Sequence, residues 1–349
     1  IVSDLVVKNE SIKQESNLKF IDLFSGIGGF HLALHNQGAK CVFAAEINSK
    51  CRETYKNNFN TISPEIFQKD LFAKDITFVD PSSIPEHNIL CAGFPCQPFS
   101  ISGAKKGFED TRGTLFFNVL KIAEVKKPSV IFLENVKHLV HHNNGHTLQV
   151  IIDKLEDLGY FVEWKVLNAK DFGLAQNRER IIIIASKKSY FDFGKVQETR
   201  SAIIKDILDN DNFEYLNKDE YTLLPTHLVK QQKSGLIFFG YRNKAIRKSG
   251  VKPNTAHLSR AHKQPNRIYH INGTHPTLPS QETSGRFFIF DESGVRKLTI
   301  DECYKLQGFP KHFIKNNTLS ACYSQIGNSV AIPMIEAVYK QIKKQFFTD

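Results

Sequence analysis

Between residues 19 and 186 short apolar runs alternate with longer stretches of helical spacing, and this alternation limits the possible folds more than any other feature of the chain. Residues 19–24, 41–45, 88–91, 130–134, 161–167 and 180–185 read as strands, and residues near 29–37, 49–58, 114–126 and 146–158 as helices. Strand–helix alternation of this kind predicts an α/β domain with a largely parallel sheet covered on both faces. From about 190 to 295 the pattern loosens into Gly, Pro, Asn and Ser punctuation with short β-like pieces such as 286–290. Helical character returns after Lys297 and ends in 332–347. No internal repeat or low-complexity tract is visible.

Charge divides the chain along the same lines. The 61 residues 221–281 contain no Asp or Glu but ten Lys and Arg and five His, so this segment carries a charge equal to the +10 of the whole chain. An ordinary solvated face mixes in acids, and a stretch this long without one suits a phosphate-backbone surface. Tyr241, Tyr269, Phe238 and Phe239 interleave without periodicity and read as core. No apolar run approaches the roughly 18 residues of a membrane span. The first 18 residues show no basic region leading into an apolar one, which gives the expectation of no secretory signal and a cytoplasmic location. The chain does not open on Met, so a few residues are expected ahead of Ile1. Six cysteines (41, 51, 91, 96, 303 and 322) lack a Cys-x-x-Cys pair, so neither a disulfide framework nor a zinc ribbon is expected, and no metal.

The first strand runs into a glycine turn, Phe20-Ile-Asp-Leu-Phe-Ser-Gly-Ile-Gly-Gly-Phe30. Gly26, Gly28 and Gly29 let the backbone pass close to a ligand, and a helix start supplies unpaired N–H groups. Glu46 follows the second strand, where a carboxylate can accept both hydroxyls of a ribose. His31 stands where a dinucleotide fingerprint has its third glycine, which favours an adenosine ligand without a pyrophosphate.

Cys96 lies between Pro95 and Pro98 just beyond a strand's carboxyl end, where open α/β sheets place ligands. The prolines stiffen the loop and exclude helix. Residues 101–114, rich in Gly, Ser and Lys, read as a lid. The other five cysteines read as small buried hydrophobes. Glu134-Asn135 closes the next apolar strand at the same edge, and alternation puts Arg178 and Arg180 on one face of the following strand with Glu179 on the other.

Seven blocks together resemble the cytosine-C5 DNA methyltransferases, particularly the single-chain bacterial type II modification methylases of the HhaI kind. In order they are Asp22-Leu-Phe-Ser-Gly-Ile-Gly-Gly29, Gly93-Phe-Pro-Cys-Gln-Pro-Phe-Ser100, Gly107-Phe-Glu-Asp-Thr-Arg-Gly-Thr-Leu-Phe-Phe117, Glu134-Asn-Val136, Gln176-Asn-Arg-Glu-Arg180, Leu298-Thr-Ile-Asp-Glu-Cys-Tyr-Lys-Leu-Gln-Gly-Phe-Pro310 and Gln325-Ile-Gly-Asn-Ser-Val330. The resemblance implies a Rossmann-like class I methyltransferase fold with a mixed, mostly parallel sheet, plus a smaller, irregular, β-rich target-recognition domain. Residues 1–190 would form the catalytic domain that binds S-adenosylmethionine, 191–315 the recognition domain and hinge, and 316–349 a C-terminal helix returning to the catalytic domain.

The resemblance also implies roles. Cys96 would be the nucleophile that adds to C6 of a flipped-out cytosine, Glu134 would hold N3 and the exocyclic amine, Arg180 would contact O2, Arg178 would support the site and Asn135 would hold the loop. For the cofactor it implies Phe24, Ser25, Gly26, Gly28 and Gly29 at the methionine part, Glu46 at the ribose and Asp70 at the adenine amino group, with Asp75 as a rival. Pro95, Leu115, Asn328 and Val330 would complete the pocket. Ile47 stands where an aromatic residue often stacks on adenine, with Leu71 or Phe94 as substitutes. Ser100 and Arg112 are expected near the DNA backbone, and Arg242, Arg247, Lys252, Arg260 and Arg267 on DNA from the basic segment. Double-stranded DNA is the implied partner of a monomer, with a cognate restriction endonuclease in the background. A tRNA methyltransferase, a nicotinamide-dependent oxidoreductase and an inactive DNA-binding regulator are less compatible. The chain has no Cys-Phe-Thr motif, lacks G-x-G-x-x-G, and keeps both the cysteine and the acid.

If segment 221–281 carries phosphate contacts, DNA affinity should fall steeply with salt. Replacing Arg242, Arg247 and Lys252 together by Ala should flatten the slope of log affinity against log salt. An unchanged slope would put this charge on a face that never meets DNA.

Overall fold

The computed structural model describes residues 17–95, 114–210, 213–244 and 255–348. A seven-stranded sheet organises the first half of the chain. Its strands are β1 (Lys19–Leu23), β2 (Lys40–Ala45), β3 (Phe72–Ala73), β4 (Ile89–Ala92), β5 (Val130–Val136), β6 (Phe161–Asn168) and β8 (Glu179–Ser186). They lie in the order β3-β2-β1-β4-β5-β8-β6. The first five run parallel, and β8 is antiparallel to both of its neighbours. The reversal has a simple cause. Parallel neighbours need a long crossover, usually a helix, whereas only a turn and the two-residue strand β7 (Gln176–Asn177) separate β6 from β8. All six anticipated strands are present. The short β3 went unanticipated, because two residues show no periodicity.

Helices cover both faces. The helices α1 (Gly29–His35), α2 (Ser49–Phe59) and α3 (Pro64–Gln68) pack on one side with the C-terminal α8 (Ile332–Phe346), and α4 (Thr114–Lys126) and α5 (His146–Asp157) on the other. Alternation within strands feeds the two layers. Ile182 and Ile184 join one cluster, while Ile181, Ile183 and Ala185 join the other. In α8 the residues Met334, Ile335, Val338, Tyr339, Ile342 and Phe346 form one buried stripe at helical spacing, so the chain's end returns to the first sheet beside α1. Among the described residues no helix is long and apolar enough to cross a membrane.

A second, five-stranded sheet is built from β9 (Tyr221–Leu223), β10 (Phe238–Arg242), β11 (Arg267–His270), β13 (Phe288–Phe290) and β14 (Val295–Lys297), in the order β14-β13-β11-β10-β9. Phe238, Tyr269, Phe287 and Ile289 bury one face into the same cluster that holds α8. Phe239 and Tyr241, expected in the core, are only half-buried. They pair instead with other rings, Phe239 with His270 and Phe290, and Tyr241 stacked on His262 at 4.0 Å. The remaining strand, β12 (His275–Pro276), leaves this sheet and pairs with β7. After β14 come α6 (Ile300–Lys305) and α7 (Leu319–Asn328), whose Cys303, Tyr304, Cys322 and Ile326 join the cluster that holds α8.

A fully buried histidine makes this packing sensitive to acid. His31 lies between Tyr55 Oη at 2.6 Å and Ser63 Oγ at 3.0 Å, stacked on Phe59. Burial holds its pKa well below 6.5, and the two hydroxyls suit a neutral ring, which has one donor and one acceptor. The ring is therefore neutral when folded but takes a proton on unfolding below pH 6.5. Its contribution is complete above that pH and is lost as pH falls below it, at about 1.4 kcal/mol per pH unit. His275 is held differently, with its ring nitrogens 2.6 Å from the carbonyl oxygen of Pro276 and 2.7 Å from that of Arg286. Urea unfolding between pH 7 and pH 4.5 should show the loss from His31, and His31→Gln should flatten the dependence by about one proton. Stability independent of pH in that window would contradict a neutral His31.

Candidate active site

The carboxyl ends of the parallel strands open onto a cavity of about 520 Å³. It lies where the doubly wound topology expects a ligand. Phe24 follows β1, Glu46 and Ile47 follow β2, Asp75 and Ile76 follow β3, Phe94 and Pro95 follow β4, and Glu134 and Asn135 end β5. Because β8 is antiparallel to β5, it begins where β5 ends, with Arg180 opposite Val136 and Ile182 opposite Glu134. Arg180 therefore enters the same cavity beside Glu134. Asn328, at the end of α7, and Leu115, at the start of α4, contribute from the helices.

The turn after β1 uses its glycines for different purposes. A Cβ at Gly26 would meet nothing within 4 Å, so this backbone faces the open cavity. A Cβ on Gly28 would sit 2.2 Å from the Phe59 ring, and one on Gly29 2.6 Å from Val330 Cγ2. Gly28, Gly29 and Val330 therefore pack α1 against its neighbours and do not line the cavity. Ser25 is also buried and is not among the residues that line the cavity. Phe24 adopts φ +55°, a left-handed conformation costly for a side chain and common at functional turns. Glu46 reaches back across the turn. Its Oε2 accepts the Gly26 N–H and its Oε1 the Asn48 N–H, each at 2.8 Å, so the carboxylate is held in one orientation.

At the other end of the cavity, Arg180 Nε lies 3.1 Å from Glu134 Oε1, with both side chains about nine-tenths buried. The N–H is not aimed at the oxygen, and among the described residues the buried Oε1 has no hydrogen bond. Burial lifts the pKa of Glu134, opposed by the charges of Arg180 and Arg178. Asn135 Nδ2 donates to the Phe94 carbonyl at 2.9 Å and its Oδ1 accepts the Val136 N–H, which ties the end of β5 to the loop leading into Pro95. Arg178 shares the face of Arg180 as alternation predicts, while Glu179 on the opposite face pairs with Lys137. Its guanidinium is directed at backbone: Nη2 donates to the carbonyls of Gly327 at 2.9 Å and Ser329 at 2.7 Å, and Nη1 to Leu278 at 3.4 Å.

Several expectations need correction. Asp70 and Leu71 do not line the cavity. Asp70 is exposed in the turn before β3, and Leu71 packs into the core, while β3 carries the chain forward so that Asp75 and Ile76 reach the rim. Asp75 Oδ1 caps the following turn through Thr77 N at 2.9 Å. Cys51, expected as a buried hydrophobe, lines the cavity, with its pKa pushed up to about 12 by burial and by nearby Glu46. Asn48 also lines the cavity, and its only signal in the sequence is its place as the N-cap of α2. In the basic segment, Arg267 uses Nε and Nη2 on the His262 carbonyl, Arg242 lies over the Phe288 ring at 4.4 Å, and Arg260 is exposed. Cys96, Ser100, Arg112, Arg247 and Lys252 lie outside the described residues.

The family profile described as "C-5 cytosine-specific DNA methylase" matches residues 18–344. The chain belongs to this family. The methylase is 38% identical over 339 residues to the type II methyltransferase M.HhaI of Haemophilus parahaemolyticus, covering 93% of this chain and 94% of that protein. It is 39% identical over 335 residues to M.MspI of a Moraxella species, covering 94% and 71% respectively. Its fold resembles the crystal structure of the S. pombe Dnmt2 methyltransferase, with a TM-score of 0.64 at 17% identity over 95% of this chain and all of that one. The methylase is thus a DNA (cytosine-5-)-methyltransferase on a class I methyltransferase fold.

Its turn glycines should separate on substitution. Gly28→Ala meets the buried Phe59 ring and an unfavourable φ of +86°, and should cost at least about 2 kcal/mol in urea unfolding. Gly26→Ala, with φ +55° but open space, should cost about 1 kcal/mol. Equal losses would show that Gly28 is not held by the contact with Phe59.

Proposed function

We propose that this protein transfers a methyl group from S-adenosylmethionine to C5 of a cytosine flipped out of duplex DNA, through a transient covalent bond from Cys96. The observation that carries this reading is Glu134: a buried carboxyl whose Oε1 has no hydrogen bond among the described residues, beside Arg180 in a cavity that Pro95, the neighbour of Cys96 in the chain, helps to line. A buried polar atom left unpaired is costly unless a ligand satisfies it. Cytosine presents such a ligand, with N3 and the exocyclic amine on one edge and O2 within reach of a guanidinium.

C5 of cytosine is a weak nucleophile. Addition of the Cys96 thiolate to C6 moves a pair of ring electrons onto C5, where the new carbon–carbon bond can form. Loss of the C5 proton to a base then returns electrons to the ring, the C6–S bond breaks, and the thiolate departs. Glu134, lifted in pKa by burial, can keep a proton at N3 as charge develops there. Arg180 opposes charge at O2, and Asn135 holds the Phe94–Pro95 loop that delivers the thiol. Extracting the base costs a few kcal/mol of stacking and pairing, which the closed site must return.

The residues at the other end fit the cofactor. Gly26 offers bare backbone to the cavity, Phe24 and Ile76 flank it, and Glu46 is already oriented by two backbone N–H groups. When bound, S-adenosylmethionine supplies an electrophilic methyl group on its sulfonium. Asp75, in place of Asp70, would meet the adenine amine. On the same reading residues 191–315 read the DNA sequence. The enzyme acts as a cytoplasmic monomer that protects host DNA from an endonuclease specific for the same site.

Incubation with duplex DNA and methyl-labelled S-adenosylmethionine should place label in DNA, and bisulfite sequencing should locate it at cytosine. Cys96→Ser should abolish labelling, and Glu134→Gln should reduce kcat by about 100-fold. A duplex with 5-fluorocytosine at the mapped position should trap an adduct on Cys96. Label in tRNA alone, or no adduct with methyl donor present, would overturn the proposal.

A further inference from the structure

Arg178 shares backbone partners with two fully buried amides, Gln176 and Gln307, where the second sheet's connections meet the first. Gln176 Nε2 donates to the Leu306 carbonyl and to Gln307 Oε1, each at 2.8 Å, and its Oε1 accepts the Leu278 N–H at 3.0 Å. Gln307 Nε2 donates to the carbonyls of Ile326 and Ser329, each at 3.0 Å. Arg178 donates to that same Ser329 carbonyl and to Leu278 O, so residue 278 is held by Gln176 at its N–H and by Arg178 at its carbonyl. Gln176 and Gln307 thus use every amide donor and acceptor on partners far away in sequence.

The segments joined here have different duties. Gln176 and Arg178 lead into β8, which carries Arg180. Leu278 lies between β11 and β13 of the second sheet, and Ile326 to Ser329 close α7, whose Gly327 and Asn328 line the cavity. Three further contacts keep the second-sheet segment in place. His275 N donates to Ala175 O at 2.6 Å, Thr277 Oγ1 donates to Asn177 O at 2.8 Å, and Gly327 lets the chain pass, since a Cβ there would lie 2.2 Å from the Pro279 carbonyl. Buried amides of this kind add less to net stability than to geometry, because an apolar side chain of equal volume can often replace a fully paired set at little cost.

We propose that Gln176 and Gln307 are positioning residues that set the register of the second sheet against the catalytic cavity, so that a base pair recognised on that sheet delivers its cytosine to Glu134 and Arg180. The inference rests on the proposed function. Reacting groups displaced by about 1 Å lose about 100-fold in rate. A loosened junction should therefore weaken the coupling between reading and chemistry more than it weakens DNA binding.

The test compares kcat and KM on a duplex carrying the bisulfite-mapped site with those on the same duplex changed at one base pair outside the cytosine. Gln307→Met keeps the volume and removes the donors, and it should lower the ratio of kcat/KM between the two duplexes by at least about tenfold, mainly through kcat on the mapped site. Thr277→Val, a milder change at a half-buried position, should lower it in the same direction by a smaller factor and carries the test alone if Gln307→Met does not fold. A ratio within twofold of wild type, whether or not total activity falls, would reduce the junction to a structural role and overturn the proposal. Wild-type protein that labels no DNA would remove the proposed function and this inference with it. Wild-type labelling with an unchanged ratio removes only the inference.

Discussion

The antiparallel pairing of β5 with β8 is the constraint on which the candidate site depends. In an all-parallel sheet the beginning of β8 would lie at the opposite end from the end of β5, and Arg180 would be a strand's length away from Glu134. A connection too short for a crossover helix reverses β8 and brings its first residues to the cavity. The register then places Ile182 opposite Glu134 and Arg180 diagonally beside it on the same face. The alternation that buries Phe132 and Ile184 in one layer thus also puts a carboxyl and a guanidinium together at its rim.

Pairing at that rim explains why the charges can be buried. An isolated carboxylate with so little exposure would stay protonated, and an isolated guanidinium would be costly. Here the two offset each other, yet the misaligned Nε–H leaves Oε1 short of a hydrogen bond among the described residues. The arrangement keeps a polar group ready for something outside the protein. Arg178, only two residues away, also lines the cavity, but its Nη groups are committed to three backbone carbonyls. Neighbouring arginines on one face therefore differ in their ties, with Arg180 beside the Glu134 carboxyl and Arg178 holding the chain around the cavity.

Sequence alone made the first of these legible and hid the second. A strand that ends in an acid, a glycine turn after the first strand and two arginines at alternate positions are local patterns, and local physics is enough to read them. Arg178, Gln176 and Gln307 act on carbonyls 100 or more residues away in most cases, and a backbone carbonyl leaves no trace in the identity of its residue. The shift from Asp70 to Asp75 has a similar origin. Only a two-residue strand separates them, too short to show a period of two, so nothing in the amino-acid order said which acid would reach the edge. Gly28 and Gly29 were read as ligand contacts because glycine tells of a missing side chain without naming what fills the space. The space belongs to Phe59 and Val330.

The basic segment shows how composition and placement diverge. Its lack of acids was visible at once, but the individual arginines have different surroundings. Arg267 closes a turn on His262, and Arg242 lies across an aromatic ring with its buried Nε unpaired among the described residues, while Arg260 is exposed. A guanidinium stacked on a ring keeps its charge and loses freedom, which suits a group that must meet a phosphate or a base edge in a fixed direction. One whose N–H groups already serve a carbonyl adds to the field without making a directed contact. Net charge therefore bears on the strength of attraction to a polyanion, while under the proposed function discrimination between sequences would fall to cations held in a fixed direction.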